Sequence, residues 1–227
     1  MASSLRQNQS NASAEISYRD FEPDFHEEMM NSANPVRRWF HRSKNELILK
    51  TVKEFAFDKA KIVDLGCGTV NWNIERLPVL GIDLNPSMLS KAKKEGRLSD
   101  SRVASVQKTG LPSQSADVVV ISEVLEHLPD FEDAIDEIRR ILAPNGVVLA
   151  TVPYDTIVSL WKPLFFMQCF LHGTLRQNEY FKKEAGHVNH FSPASIAGFF
   201  RKHDFEIEKQ FDNRRFTIFT VARKKRK

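Results

Sequence analysis

The sequence predicts an α/β doubly wound domain: one sheet of seven strands, mostly parallel with an antiparallel strand near the C-terminus, and helices on both faces. Three observations predict it. Short apolar runs alternate with amphipathic stretches between residues 61 and 152, the pattern of buried parallel strands joined by crossover helices. The first run ends in an acidic residue and two glycines, Asp64-Leu-Gly66-Cys-Gly68. The second ends in another acidic residue, Asp83.

Residues 1–17 are polar and contain no apolar run, so they read as a disordered tail, neither a leader nor an anchor. Pro35 to Phe55 carries Val36, Trp39, Phe40, Leu47, Ile48, Val52 and Phe55 near helical spacing and reads as a leading helix over the sheet. Strands follow at Lys61–Leu65, Val79–Leu84, Val103–Gln107, Asp117–Ser122 and Val147–Val152. Between them, Ser87–Glu95 and Phe131–Leu142 read as helices. The second sets Ala134, Ile135, Ile138, Ile141 and Leu142 on one face, with Asp130 as its cap and Ala143-Pro-Asn-Gly146 as its stop signal. Ser192-Pro193 opens a helix to Lys202, because serine caps and proline suits a first turn. Phe205–Phe211 and Arg215–Ala222 then form a hairpin around Asp212-Asn213. The domain is expected over 18–222, with an aromatic-rich insertion at 154–186 and a basic tail at 223–227.

With 41% hydrophobic side chains the chain has the apolar material for one core. Its two cysteines, Cys67 and Cys169, stand far apart in no metal-ligand or redox spacing, which argues against a disulfide framework or structural zinc and fits a reducing cytoplasm. The net charge is +4, yet residues 223–227 are all basic and account for it. A body built to track phosphates, and with it a nucleic-acid partner, is therefore not expected.

Gly66 and Gly68 let the backbone turn tightly and approach a ligand where a side chain would collide. Asp83 ends the second strand where a ribose diol would sit and can accept two hydrogen bonds. A dinucleotide fingerprint would need glycine at position 71, which is Asn71. Together with Ala116-Asp-Val-Val-Val-Ile-Ser-Glu-Val-Leu-Glu-His-Leu128 and Arg139-Arg-Ile-Leu-Ala-Pro-Asn-Gly146, these motifs resemble those of the class I S-adenosylmethionine-dependent methyltransferases over roughly residues 60 to 153. The resemblance implies a Rossmann-like sheet and S-adenosylmethionine as cofactor. It implies that Asp64 meets the methionine amine, that Gly66, Cys67 and Gly68 line the floor, and that Asp83 and Leu84 lie at the ribose. Gln107 falls near the adenine, where relatives often carry an acid, and Ser122 and Glu123 follow the fourth strand. Val70 stands where many relatives have a third glycine; a β-branched residue does not easily take positive φ, so the loop is expected to turn differently there.

Methyl transfer to a hydroxyl needs alignment and removal of a proton, and histidine is the natural base near neutral pH. His127, His187 and His190 are the candidates, the last two in Gly186-His-Val-Asn-His-Phe-Ser-Pro193. If Glu123, Glu126 and His127 lie on a helix or turn, their side chains converge at i, i+3 and i+4. That arrangement resembles the magnesium site of small-RNA 2′-O-methyltransferases and of some quinone O-methyltransferases, which makes Mg2+ a second cofactor to test. The fourth strand is not followed by Asn-Pro-Pro-Tyr, so the pattern of exocyclic-amine DNA methylation is missing. The aromatic-rich stretch, with Trp161, Phe165, Phe166, Phe170, Tyr180 and Phe181, points to an apolar or aromatic small-molecule acceptor, lipid-linked or quinone-like, or to a peripheral membrane contact. The reading of a different class is a noncatalytic protein that binds S-adenosylmethionine or a protein partner.

Overall fold

The computed structural model describes residues 23–160, 162–163 and 188–225. The polar stretch 1–17, most of the aromatic-rich insertion and His187 lie outside them. Helix α1 (Phe25–Met30) precedes α2 (Pro35–Phe55). The start of α2 is set by Asn34, whose side chain accepts from the N–H groups of Val36 and Arg37 at 3.0 and 3.3 Å. Pro35 takes a first-turn position where no N–H is needed. The buried face of α2 is Ile48, Leu49, Thr51 and Val52, whereas Val36 in its first turn is 45% exposed. The apolar stripe therefore meets the sheet only in its second half, while Trp39 and Phe40 pack on Phe216 with ring centroids 5.6 and 5.4 Å away.

The strands are β1 (Ile62–Leu65), β2 (Val79–Asp83), β3 (Asp100–Val103), β4 (Ala116–Ser122), β5 (Leu142–Pro153), β6 (Phe205–Asp212) and β7 (Thr217–Lys224). Helices α3 (Pro86–Lys94), α4 (Glu132–Ile141) and α5 (Pro193–Lys202) intervene. All seven strands form one sheet in the order β3-β2-β1-β4-β5-β7-β6. The first five pair in parallel, and β7 runs antiparallel to both β5 and β6. Successive residues of β4 divide the core: Val119 and Ile121 pack with Ile135, Ile138 and Phe200 on one face, and Val118 and Val120 with Ile48, Val52 and Leu89 on the other. This is the period-two alternation of a strand covered by helices on both sides.

Four boundaries differ from expectation, each for a tertiary reason. The third strand lies at Asp100–Val103, not at 103–107, because the edge position beside β2 leaves it polar and exposed. The apolar Val106 is buried in the turn that follows. Asp130 does not cap α4, which starts after Phe131 with no side-chain cap; the Asp130 carbonyl accepts instead from Gln107. Glu132 and Asp133 in the first turn and Arg139 and Arg140 in the last complement the helix dipole there. Ala143-Pro-Asn-Gly146 ends α4 yet falls inside the span of β5, as a protrusion between the pairs Ala116–Leu142 and Val118–Val147. Arg223 and Lys224, expected in a free basic tail, belong to β7, where Arg223 meets Glu208 and the Asn145 carbonyl and Lys224 reaches the Arg139 carbonyl at 3.1 Å. The α5 expectation holds: Ser192 and Ser195 form a reciprocal capping box ahead of Ile196 and Phe200.

Phe200 is fully buried between α5 and the sheet. Phe200→Ala is expected to lower the unfolding free energy by about 3–5 kcal/mol, measured by urea denaturation. The exposed control Val36→Ala should change it by less than about 0.5 kcal/mol.

Candidate active site

A cavity of about 260 Å³ opens at the carboxyl ends of β1, β2 and β4, roofed by α1 and α2. Its floor is the turn after β1. Gly66 has φ +67°, and a Cβ there would lie 2.6 Å from a Val124 methyl, so only glycine fits. The N–H groups of Gly66 and Cys67 both donate to the Ile82 carbonyl, at 2.8 and 3.2 Å. The Gly68 N–H donates to Asp83 Oδ2 at 2.7 Å, and the Asn85 N–H to Asp83 Oδ1 at 2.8 Å. Asp83 thus clamps the two strand-end loops together, and each oxygen keeps a lone pair to accept from a ligand. Burial pushes its pKa up, against the hydrogen bonds from the Asn85, Gly68 and Leu84 amides.

Asp64 is 2% exposed and accepts from the Trp72 indole N–H at 2.7 Å. Its pKa is raised to about 7, mainly by burial, with the Trp72 bond opposing and the Asp83 charge adding. The Cys67 thiol on the same wall is pushed up by burial as well. Val70 does adopt positive φ, +49°, contrary to the expectation from its branched side chain. It is held there by burial in the α2-side core and by the bonds Val70 N–H to Cys67 O (2.9 Å) and Asn73 N–H to Val70 O (3.0 Å). Such strain persists only where the surroundings over-determine it.

Leu84, Gln107, Ser122, Glu123, Val124, His127 and Leu128 also line the cavity. Gln107 gives its amide N–H to the Asp130 carbonyl at 2.6 Å, which leaves its own oxygen to accept. Ser122 Oγ and Thr151 Oγ1 are 2.9 Å apart, and Thr151 Oγ1 donates to Glu123 Oε1 at 3.0 Å.

The expected convergence of Glu123, Glu126 and His127 forms only in part: His127 Nε2 lies 3.9 Å from Glu126 Oε1, but Glu123 turns to other partners. Only Leu125–His127 make a single 3-10 turn, and Glu123 precedes it at φ +54°, with its carboxylate turned to Thr151 and to Lys44 Nζ at 3.8 Å. Glu126 is 1% exposed, and burial, followed by the Glu123 charge, drives its pKa well up; its oxygens accept no hydrogen bond among the described residues. Among those residues no group of three His, Cys, Asp or Glu side chains is placed to hold a metal ion. His190 is not on the cavity wall: its Nδ1 meets buried Asp155, which also pairs with Lys162 at 2.6 Å.

Several wall residues escaped the sequence reading. His41, Lys44, Asn45 and Ile48 of α2 face the cavity at i, i+3, i+4 and i+7, a helical spacing that was legible had the polar positions been counted with the apolar ones. Met30 of α1 joins them, its sulfur 3.1 Å from the Asn45 amide. Helix α1 is held in place by Glu27, which pairs with Lys91 at 2.8 Å and with Arg97 at 3.0 Å. Arg97 also donates to the Thr69 carbonyl at 3.3 Å, so one guanidinium joins the roof to the glycine turn.

Residues 37–210 match the family model described as a methyltransferase domain. The chain belongs to that family. Among its relatives, a demethylmenaquinone methyltransferase of Staphylococcus epidermidis is 28% identical over 116 residues, 47% of this chain and 48% of the relative. A ubiquinone biosynthesis O-methyltransferase of Xanthomonas oryzae is 26% identical over 208 residues, 86% of this chain and 79% of the relative. The chain spans about half the length of the first of these. A solved S-adenosylmethionine-dependent methyltransferase of Thermotoga maritima superposes with a TM-score of 0.59 at 20% identity, covering 87% of this chain and 98% of that one. The sheet is that of the S-adenosylmethionine-dependent methyltransferases.

The raised pKa of Asp64 makes a signed prediction for the free protein. Its folded value, about 7, lies above the ordinary 3.8. The group therefore favours folding most below pH 3.8, and that contribution is lost as pH rises to 7. Asp64→Asn should raise stability at pH 8 by a few kcal/mol, on the order of 1.4 kcal/mol for each pH unit between 3.8 and 7, and change it little at pH 4. Urea unfolding at the two pH values decides it; equal effects would show that burial of this charge is not what costs stability.

Proposed function

We propose that the chain transfers the methyl group of S-adenosylmethionine to a hydroxyl of a small apolar or aromatic acceptor of quinone-like type. The observation that carries the cofactor part is the pair of carboxylates, buried Asp64 and half-buried Asp83, beside a glycine turn that no Cβ can enter. S-adenosylmethionine supplies an electrophilic methyl on a cationic sulfur. Asp64 receives its ammonium end, Gly66, Cys67 and Gly68 line its path, Asp83 and Leu84 hold the ribose, and Gln107 accepts from the adenine amine. Ser122 and Glu123 border it from the β4 side.

His127 is the residue we assign to the acceptor proton, because it stands on the cavity wall between Val124, Leu128 and Pro129. His190, held by Asp155, is the secondary candidate. The acceptor class is supported by the ubiquinone biosynthesis relative, whose alignment spans most of this chain. Exposed Ile157, Val158 and Leu160, at the start of the aromatic-rich insertion, support contact with a lipid surface. Among the described residues no helix is long and apolar enough to cross a membrane.

Two outcomes follow. Because a cationic ligand prefers ionised Asp64, whose pKa in the free protein is about 7, affinity for S-adenosylmethionine should be level above pH 7 and weaken below it. The limit is about tenfold per pH unit, read by calorimetry, and Asp64→Asn should abolish the slope. In a total cell extract, label from tritiated S-adenosylmethionine should partition into organic solvent and fall on the order of 100-fold with His127→Ala. Label in macromolecules would overturn the acceptor class, and retention of cofactor without any labelled product would favour a noncatalytic binding protein.

A further inference from the structure

We infer that Asn189 is a positioning residue that holds the turn presenting His127 to the acceptor, an inference that rests on the assignment of His127 above. A single 3-10 turn is too short to satisfy its own carbonyls. Upstream of it Glu123 sits at φ +54°, and downstream Pro129 has no N–H, so the local chain cannot extend the turn into a helix. The missing donors come from the segment before α5. Asn189 Nδ2 donates to the Leu125 carbonyl at 3.1 Å and to the Leu128 carbonyl at 2.6 Å. The backbone N–H groups of Val188 and Asn189 both donate to the Glu126 carbonyl, at 2.8 and 3.0 Å.

Both hydrogens of one amide are thus committed to the carbonyls that bracket His127. Asparagine is the shortest side chain that offers two donors from one nitrogen; aspartate has its shape but would set carboxylate oxygens against two carbonyls. Among the described residues the buried Glu126 carboxylate accepts no hydrogen bond and lies 3.9 Å from His127 Nε2. Asn189 follows the aromatic-rich insertion by only a few residues, so a shift of residues 188–189 is carried into the turn that holds His127.

The test uses the full chain with Asn189→Ala, Asn189→Asp and Asn189→Gln. Three quantities are read: the imidazole carbon–proton NMR signal of His127, the calorimetric affinity for S-adenosylhomocysteine, and tritium transferred into cell extract. In the Ala and Asp variants the His127 signal should move or broaden while that of His203 stays. Cofactor-product affinity should change by less than about twofold, and transferred label should fall on the order of 10–100-fold, as for a misplaced reacting group. Gln, which keeps both donors, should recover part of the label. An unmoved His127 signal in a folded Ala variant overturns the proposal, as does an equal loss of product affinity. If the Ala variant does not fold, the Gln and Asp pair decides, and identical His127 signals in the two overturn it. A displaced His127 signal with undiminished label would leave the clamp standing and remove His127 from the acceptor step.

Discussion

The site depends on one half-buried carboxylate. Asp83 ends β2 and accepts an amide N–H from Gly68 on the loop after β1 and another from Asn85 on its own loop. An ionised group in that position is costly unless its lone pairs are met, and the two amides meet them only if both loops hold their observed path. The same two loops are tied again where Gly66 and Cys67 donate to Ile82. Asn85 in turn caps α3, its side chain accepting from Ser87 and Met88 at 3.0 and 3.2 Å. One acidic side chain therefore couples the glycine turn, the end of a strand and the start of a helix, and the cavity floor is what lies between them.

Two residues with strained backbone stand on the walls of the same cavity. Val70 and Glu123 both hold positive φ, at +49° and +54°, Val70 pinned by hydrogen bonds with Cys67 and Asn73 and Glu123 by hydrogen bonds with Thr151. A strained residue that borders a ligand site is stiff in its orientation, and here both line the cavity. The roof is held differently. Glu27, Lys91 and Arg97 are partly solvated, so their ion pairs contribute modestly, of order 1 kcal/mol or less. The floor is fixed by burial, and the α1 part of the roof by contacts that salt and water weaken.

The order of strands and helices, the glycine turn and the two acidic strand ends were legible in the residues, because each rests on a short-range rule: period-two or helical spacing, a capping serine or asparagine, a glycine where a Cβ collides. Where a neighbour from far along the chain decides the outcome, that reading failed. Asp130 has the chemistry of a cap, yet Gln107 takes its carbonyl. Val70 has the wrong shape for positive φ, yet core contacts on the α2 side hold it there.

By itself the sequence determined the doubly wound topology, the glycine turn and the acidic residues near the strand ends, since backbone and turn preferences act within a few residues. Only the tertiary structure decided which polar groups share the cavity. It brought His41 and Lys44 onto the wall, set His190 against Asp155 instead, turned Glu123 to Thr151 and Lys44, and gave Asn189 to a turn 61 to 64 residues away. Those outcomes depend on how strand ends and loops distant in the chain are pressed together, and no periodicity or local motif encodes the distance between them.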